Sequence, residues 1–239
     1  MQLYFIRHGQ SENNLLWERT GSSKGRSEDP HLTDKGRQQA EKLAQFLCSE
    51  VAAPRKEFDF KNTHGVRLTH LYTSPMLRAV ETGTFIAQAI KLPLVIWEEI
   101  HEWGGIYLDD AETGEPIGQA GRTCAYFKEH YPDLVLPDTM NSDGWWNRPF
   151  EEPELIPVRV QEFLETLLER HGNTEDRVAV VSHGGFYNNL VKTLLNLPDG
   201  CHHWFVLNNA AVTRVDFHDD GVDWAYMNRT DFLPAALIT

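Results

Sequence analysis

Two histidines stand at equivalent positions, each at the end of an apolar, strand-like run. Arg7-His8-Gly9 follows the run at 3–6, and Ser182-His183-Gly184 follows the run at 178–181. Arginine presents a planar fork of donors to phosphoryl oxygens, and a histidine nitrogen is a competent nucleophile toward phosphorus. The two segments therefore predict one phosphate-binding site that is assembled from opposite ends of the chain.

A third segment, Ser74-Pro75-Met76-Leu77-Arg78, carries a second arginine. It predicts a helix start, with Ser74 as the cap and Pro75 at the first helical position. Arg78 would then lie one turn into the helix, where it faces an anion at the helix start. Gly184-Gly185 would leave backbone amides open to an oxyanion. Singly, such an arginine is most often solvated and such a histidine is most often a packed core residue, so the prediction depends on their convergence.

The intervening sequence predicts the elements that must position these side chains. Short apolar runs predict strands at 3–6, 68–73, 94–97, 178–182, 211–217 and 223–228. Helical spacing predicts helices after Thr33-Asp34, after Ser74-Pro75, at 160–168 and at 186–195. This alternation favours a three-layer α/β/α sandwich with a mostly parallel central sheet, in which ligands bind beyond the carboxyl ends of the strands.

The domain organisation follows from the length of the chain and from two interruptions in the alternation of strands and helices. The 239 residues predict a single domain over 1–239. The stretch at about 98–157, rich in Gly, Pro, Trp and acidic residues, predicts a cap-like insertion folded over the active site. Its segment Trp145-Trp146-Asn147-Arg148 is either the packed root of this insertion or part of a substrate lid. A surface loop is predicted at 52–66.

The amino-acid composition indicates which classes of binding partner to expect. The formal net charge of −13 argues against nucleic acid and against anionic membranes, which are bound mainly through Lys and Arg. Three dispersed cysteines predict neither disulfides nor a zinc site. His101 and His202-His203 lack metal-site spacing, so neither a metal nor a cofactor is expected. With no signal-like or membrane-length apolar run, we expect a cytoplasmic protein, and a homodimer is left open.

Four blocks of the chain, in order, resemble the motifs of the histidine phosphatase superfamily, which includes the cofactor-dependent phosphoglycerate mutases. They are Arg7–Asn14, Leu32–Gly36 with Gln39-Ala40, Thr73–Thr82 and Val181–Gly185, and Asn209–Thr213 is similar to the family's late strand. The resemblance implies a phosphoglycerate mutase-like fold in which His8 becomes phosphorylated. It also implies a phosphate pocket with the following members: Arg7, Ser11, Asn14, Arg78, His183 and Gly184.

The resemblance further implies a carboxylic acid that protonates the leaving oxygen and then activates water. Some phosphatase branches carry this acid directly before a tryptophan, which indicates Glu102 before Trp103. Glu99 is the alternative.

The predicted function is a phosphatase that acts on a small phosphorylated metabolite through a phosphohistidine on His8. The insertion carries only Arg122, Lys128 and Arg148 as basic residues, which favours hydrolysis over the phosphoryl transfer of a mutase. A phosphoglycerate mutase and a non-catalytic module that binds a phosphorylated ligand are the alternatives.

Overall fold

Strands and helices alternate through most of the chain in the computed structural model, which describes residues 1–49, 59–62, 65–198 and 200–239. The strands are β1 (Gln2–Arg7), β2 (His70–Thr73), β3 (Leu94–Ile96), β4 (Tyr107–Asp109), β5 (Pro116–Gly118), β6 (Leu134–Val135), β7 (Arg177–Ser182), β8 (Val212–His218) and β9 (Gly221–Arg229). The α-helices are α1 (Glu12–Thr20), α2 (Asp34–Cys48), α3 (Leu77–Ile90), α4 (Cys124–His130), α5 (Ile156–His171) and α6 (Gly184–Leu194).

The central sheet has the strand order β6-β3-β2-β7-β1-β8-β9 among the described residues. The first five of these strands are parallel to one another, whereas β8 runs antiparallel to β1 and to β9. Arg7 lies opposite Ser182 in the pairing of β1 with β7. This register brings His8 and His183 to the same edge of the sheet, at the carboxyl ends of neighbouring strands.

Helices cover both faces of the sheet. Along β1, Leu3 and Phe5 pack in one core cluster with residues of α5 and α6, while Tyr4 and Ile6 pack in another with residues of α2 and α3. Alternate side chains of a strand point to opposite faces, so a strand covered on both sides is apolar throughout. The predicted α/β/α architecture with a mostly parallel sheet is confirmed.

The start of α3 differs from the prediction. The helix begins at Leu77, with Met76 rather than Ser74 at the cap position. The Ser74 hydroxyl lies 2.8 Å from Nε2 of His183, and the Leu77 amide donates instead to Oδ1 of Asp29 at 2.9 Å. Asp29, distant in sequence, therefore caps the helix, and local sequence could not reveal that.

The predictions omitted four further elements. Helix α1 buries none of its residues completely and is held by a capping box between Ser11 and Asn14 and by Gly21 in the left-handed region. In the stretch 98–157, β4 and β5 form a two-stranded sheet and β6 extends the central sheet beside β3. Of the predicted loop at 52–66, residues 52–58 and 63–64 lie outside the described residues.

The described helices contain no candidate membrane span. None of them is both long enough and apolar enough to cross a membrane.

Candidate active site

The imidazole of His8 is held in one tautomer at the carboxyl end of β1. Its Nδ1 lies 2.6 Å from the carbonyl oxygen of Gly9, a pair that requires a proton on Nδ1. Nε2 accepts a hydrogen bond from Nε of Arg78 over 3.3 Å. The ring is therefore neutral, and its free lone pair is on Nε2, directed toward the guanidinium.

Two arginines lie close enough to this ring for their charges to affect its pKa. Arg78 extends from the first turn of α3, and its Nη1 lies 4.0 Å from Oδ1 of Asp29. Arg7, the last residue of β1, donates from Nη1 to the carbonyl oxygen of Leu207. Its Nε is buried and has no hydrogen-bond partner among the described residues. A buried guanidinium with an unused donor is suited to an oxyanion.

His183 completes the cluster from the carboxyl end of β7. The centroids of its ring and the His8 ring are 5.1 Å apart. Nε2 of His183 lies 2.8 Å from the Ser74 hydroxyl, whereas its Nδ1 is buried without a partner among the described residues. The serine that follows β2 thus orients this second imidazole.

Burial and positive charge keep both histidines neutral. Burial and the charges of Arg78 and Arg7 hold the pKa of His8 well below its usual range. The pKa of His183 is likewise held well below that range by burial, by Arg78 and by His8. Burial also lowers the pKa of Arg7 and of Arg78, an effect that the negative charge of Glu102 opposes in both cases. A neutral His8 is the form that can attack phosphorus.

Glu102 lies at the amino end of α6, immediately beyond His183. Its Oε2 accepts from the Gly185 amide at 3.1 Å, and its Oε1 accepts from the amides of Phe186 at 3.1 Å and Trp103 at 3.0 Å. The anion at the glycine pair is therefore the carboxylate of Glu102. A helix start is a natural position for a carboxylate because free amides and the helix dipole converge there.

Glu99, the alternative acid, belongs to a short 3-10 helix (Glu98–Ile100) and is exposed. Its charge affects the pKa of Glu98 and of Arg148, whereas the charge of Glu102 affects the two site arginines. Of the two carboxylates, Glu102 is the one on the side of His8.

Ser11 and Asn14 lie beside the site in a mutual capping arrangement. The hydroxyl and the amide of Ser11 each donate to Oδ1 of Asn14 over 3.1 Å. Asn209 donates to that same oxygen and also to the carbonyl oxygen of His8. Gly184 borders the Arg7 side chain, since a Cβ at this position would stand 3.7 Å from Nε of Arg7.

Three supporting residues were not singled out from the sequence. Thr82 accepts a hydrogen bond from the Gly9 amide at 3.0 Å. Asn209 anchors the His8 backbone, a role that the similarity of its segment to the family's late strand does not indicate. Asp29 is buried beside Arg78, and burial raises the pKa of its carboxyl to about 6. The loop that carries Asp29 has no periodicity, so no signal in the sequence indicated it.

Among the described residues, the group of three that could share one ion is His70, His171 and Asp176, on the opposite edge of the sheet. The cluster around His8 combines a neutral imidazole with a lone pair on Nε2, two fixed cations and one carboxylate. That set can bind a phosphoryl group, accept it covalently and exchange a proton with its leaving oxygen.

Curated relatives by sequence carry mutase names. A probable phosphoglycerate mutase GpmB from Enterobacter sp. (strain 638) is 26% identical over 223 residues, covering 92% of this chain and 86% of the relative. A 2,3-bisphosphoglycerate-dependent phosphoglycerate mutase from Caulobacter vibrioides (strain NA1000 / CB15N) is 28% identical over 211 residues, covering 82% and 81%.

Solved structures with the same fold carry phosphatase names. Phosphoserine phosphatase from Entamoeba histolytica, in complex with 3-phosphoglyceric acid, matches with a TM-score of 0.60 at 22% identity, covering 98% of this chain and 99% of that chain. A mycobacterial glucosyl-3-phosphoglycerate phosphatase matches with a TM-score of 0.59 at 18% identity, covering 96% and 99%. At these identities the likeness shows the fold.

The family assignment comes from a match along nearly the whole chain. The model of the histidine phosphatase superfamily (branch 1) matches residues 3–55 and 58–230, a span that includes the cluster around His8. This protein belongs to the histidine phosphatase superfamily.

Proposed function

We propose that this protein hydrolyses a small phosphorylated metabolite, a phosphomonoester, through a phosphohistidine on Nε2 of His8. The observation that carries the proposal is the hydrogen-bonding of His8. Its Nδ1 proton is committed to the Gly9 carbonyl oxygen, so the Nε2 lone pair faces the Arg78 guanidinium in a buried, cationic site. A phosphoryl group held there would be attacked by that lone pair.

In the first step, Nε2 of His8 forms a bond to phosphorus as the bond from phosphorus to the substrate oxygen breaks. The leaving oxygen takes a proton from the carboxyl group of Glu102. Oε2 of Glu102 is the better carrier of that proton because it accepts one amide hydrogen bond, against two for Oε1. Arg7 and Arg78 stabilise the charge on the equatorial oxygens.

In the second step, the carboxylate of Glu102 takes a proton from water as the water oxygen attacks phosphorus. The N–P bond breaks, inorganic phosphate leaves and His8 returns to its neutral tautomer. The Gly9 carbonyl oxygen that accepts from Nδ1 also stabilises the positive charge that the ring carries while it is phosphorylated.

Hydrolysis is preferred to the phosphoryl transfer of a mutase because the insertion has few basic residues that are free to bind a second phosphate group. Arg122 and Arg148 stack on the rings of Tyr126 and Trp146, 4.9 Å and 4.0 Å from the ring centroids. Lys128 is exposed near the end of α4. The insertion thus offers few unengaged cations for a second phosphate group. The solved structures of this fold include a phosphoserine phosphatase and a glucosyl-3-phosphoglycerate phosphatase. Their names also favour a small phosphorylated metabolite as the substrate.

The proposal is tested by measuring phosphate release from p-nitrophenyl phosphate and from a panel that includes phosphoserine and 3-phosphoglycerate. The latter is assayed with and without 2,3-bisphosphoglycerate. Rapid quenching with ³²P-labelled substrate should trap an acid-labile, base-stable phosphoprotein in the unaltered chain. His8→Ala should abolish both the label and the release of phosphate, while the exposed control His218→Ala should retain them.

Three results would contradict this assignment. Unchanged hydrolysis in His8→Ala would remove the phosphohistidine mechanism. Isomerisation of 3-phosphoglycerate that is faster than phosphate release would identify a mutase. Binding of the panel without any turnover would identify a non-catalytic module.

A further inference from the structure

A second cluster of ionisable side chains lies at the amino ends of the strands, on the edge of the sheet opposite His8. His171 is the last residue of α5, Asp176 directly precedes β7, and His70 is the first residue of β2. In the parallel pairing of these strands, His70 lies opposite Val178. The short connection from α5 to β7 therefore returns the chain to the start of β2.

The carboxylate of Asp176 lies between the two imidazoles. Its Oδ2 is 2.9 Å from Nδ1 of His171, and its Oδ1 is 3.8 Å from Nδ1 of His70. The centroids of the two rings are 4.5 Å apart, and one ligand atom from each residue lies within 4.8 Å of the others. His171 is buried, whereas the other two side chains are partly exposed, so the cluster is open to solvent on one side.

We propose that His70, His171 and Asp176 bind one zinc ion, with water at a fourth position. Zinc prefers imidazole and carboxylate ligands at about 2.0–2.2 Å in tetrahedral geometry, which separates neighbouring ligand atoms by about 3.3 Å. The two nitrogen-to-oxygen distances at Asp176 lie on either side of that value. Small rotations of the two partly exposed side chains, His70 and Asp176, would therefore complete the coordination.

The surroundings of His171 support this role. Its Nε2 lies 3.0 Å from the Tyr72 hydroxyl, in the core of the protein. When Nδ1 binds the metal, Nε2 carries the proton and donates to that hydroxyl, the arrangement that usually orients a histidine ligand. A hydrogen-bonded His171–Asp176 pair would need no third member, yet His70 also faces this carboxylate.

Thr69 is the neighbour that must adjust. Its hydroxyl lies 2.9 Å from Nδ1 of His70, and it also donates to the carbonyl oxygen of Arg177 at 3.3 Å. On metal binding, the hydroxyl would keep its bond to Arg177 and free the histidine nitrogen.

The ion would join the end of α5 to the start of β2, far from the phosphate site. The six residues of β7 at about 3.3 Å each place roughly 20 Å between the two edges of the sheet. Zinc would then act on the stability of the fold, because a ligand that binds only the folded state stabilises it. This inference is independent of the proposed hydrolytic mechanism.

Calorimetric titration of the metal-free chain with zinc chloride tests the site. We expect one equivalent of zinc to bind, and a dissociation constant at least ten-fold weaker in His70→Ala and in Asp176→Asn. Tyr72→Phe should weaken binding about ten-fold through the lost partner of Nε2. Zinc should raise the melting temperature of the unaltered chain and not that of His70→Ala.

The matched control is His218→Ala, because His218 and Asp223 form an exposed pair at 3.3 Å. This control, and a variant with alanine at both His202 and His203, should bind zinc as the unaltered chain does. The proposal is overturned if no zinc binds. It is also overturned if His70→Ala and Asp176→Asn bind normally, or if binding is lost only with His202 and His203.

Discussion

Nε of Arg78 donates a hydrogen bond to Nε2 of His8, so the residue at the start of α3 directly contacts the lone pair at the end of β1. The same guanidinium lies 4.0 Å from the buried carboxylate of Asp29. An incoming phosphoryl group would replace the histidine as the partner of this nitrogen. In the proposed mechanism Arg78 would therefore both orient the lone pair of His8 and supply positive charge to the phosphoryl group that it attacks.

Arg78→Lys should lower kcat for p-nitrophenyl phosphate by about 10²–10³, the usual effect of removing one preorganised donor to a transition-state oxyanion. Lysine retains the charge but lacks both the Nε donor and the planar fork. Arg19→Lys, on the exposed surface of α1, is the matched control and should leave steady-state kinetics unchanged. Equal activity of the two variants would remove Arg78 from the mechanism.

Glu102→Gln should impair the enzyme according to the leaving group. General acid catalysis contributes about 10²–10⁴-fold, and most for leaving groups that need a proton. The loss of kcat/KM, which reports formation of the phosphoenzyme, should therefore be large with an alkyl phosphate and small with p-nitrophenyl phosphate. Glu99→Gln is the control and should behave like the unaltered chain with both substrates. A uniform loss in Glu102→Gln would instead indicate a purely structural role at the start of α6.

The two glycines after His183 should differ in their tolerance of alanine. A Cβ at Gly185 would overlap the carboxylate of Glu102 and the ring of Trp103, whereas at Gly184 the nearest atom would be Nε of Arg7 at 3.7 Å, an ordinary contact. Displacement of a catalytic group by about 1 Å can cost about 10²-fold in rate. We expect a loss of that order in kcat for Gly185→Ala and near-normal kcat for Gly184→Ala.

Acid should destabilise the fold through its buried neutral histidines. His8, His101 and His183 have pKa values well below 6.5, because burial disfavours their charged form. Below pH 6.5 the unfolded chain binds protons that the folded chain does not. The unfolding free energy is therefore not reduced by these histidines above pH 6.5, and it decreases as the pH falls toward their pKa values in the folded state.

Each such group contributes a slope of up to about 1.4 kcal/mol per pH unit to the unfolding free energy. Urea unfolding between pH 6.5 and 5 measures this slope. His101→Asn retains a donor for the Glu102 carbonyl oxygen, removes one of the three groups and should flatten the slope, whereas the exposed control His218→Ala should not. An unchanged slope in His101→Asn would contradict the linkage.

Much of the architecture could be predicted from local patterns. The apolar runs at 3–6 and 178–182 correspond to β1 and β7, and Thr33 caps α2 as expected, accepting from the Gly36 amide at 3.0 Å. Such signals lie within a few residues of the helix or strand that they predict. The convergence of His8, Arg78 and His183 followed from the rule that ligands lie beyond the carboxyl ends of parallel strands.

What escaped prediction depends on contacts between distant segments. Asp29 caps α3 from 48 positions away, and Glu102 caps α6 from 83 positions away. Helix α1 shows no apolar face because it buries none of its residues completely. The two-residue strand β6 is too short to produce a periodic signal. For the two caps the determinant is tertiary, so sequence periodicity does not contain it, whereas α1 depends on its local capping box and Gly21 rather than on an apolar face.

The pairing of β1 has a consequence for synthesis on the ribosome. Its hydrogen-bonded neighbours are β7 and β8, which begin at Arg177 and Val212. At translation rates of about 5–20 residues per second, β1 emerges on the order of ten seconds or more before its first partner exists. A chaperone that shields this apolar segment would therefore increase the yield of folded protein, and truncation before β7 would leave the segment exposed to aggregation.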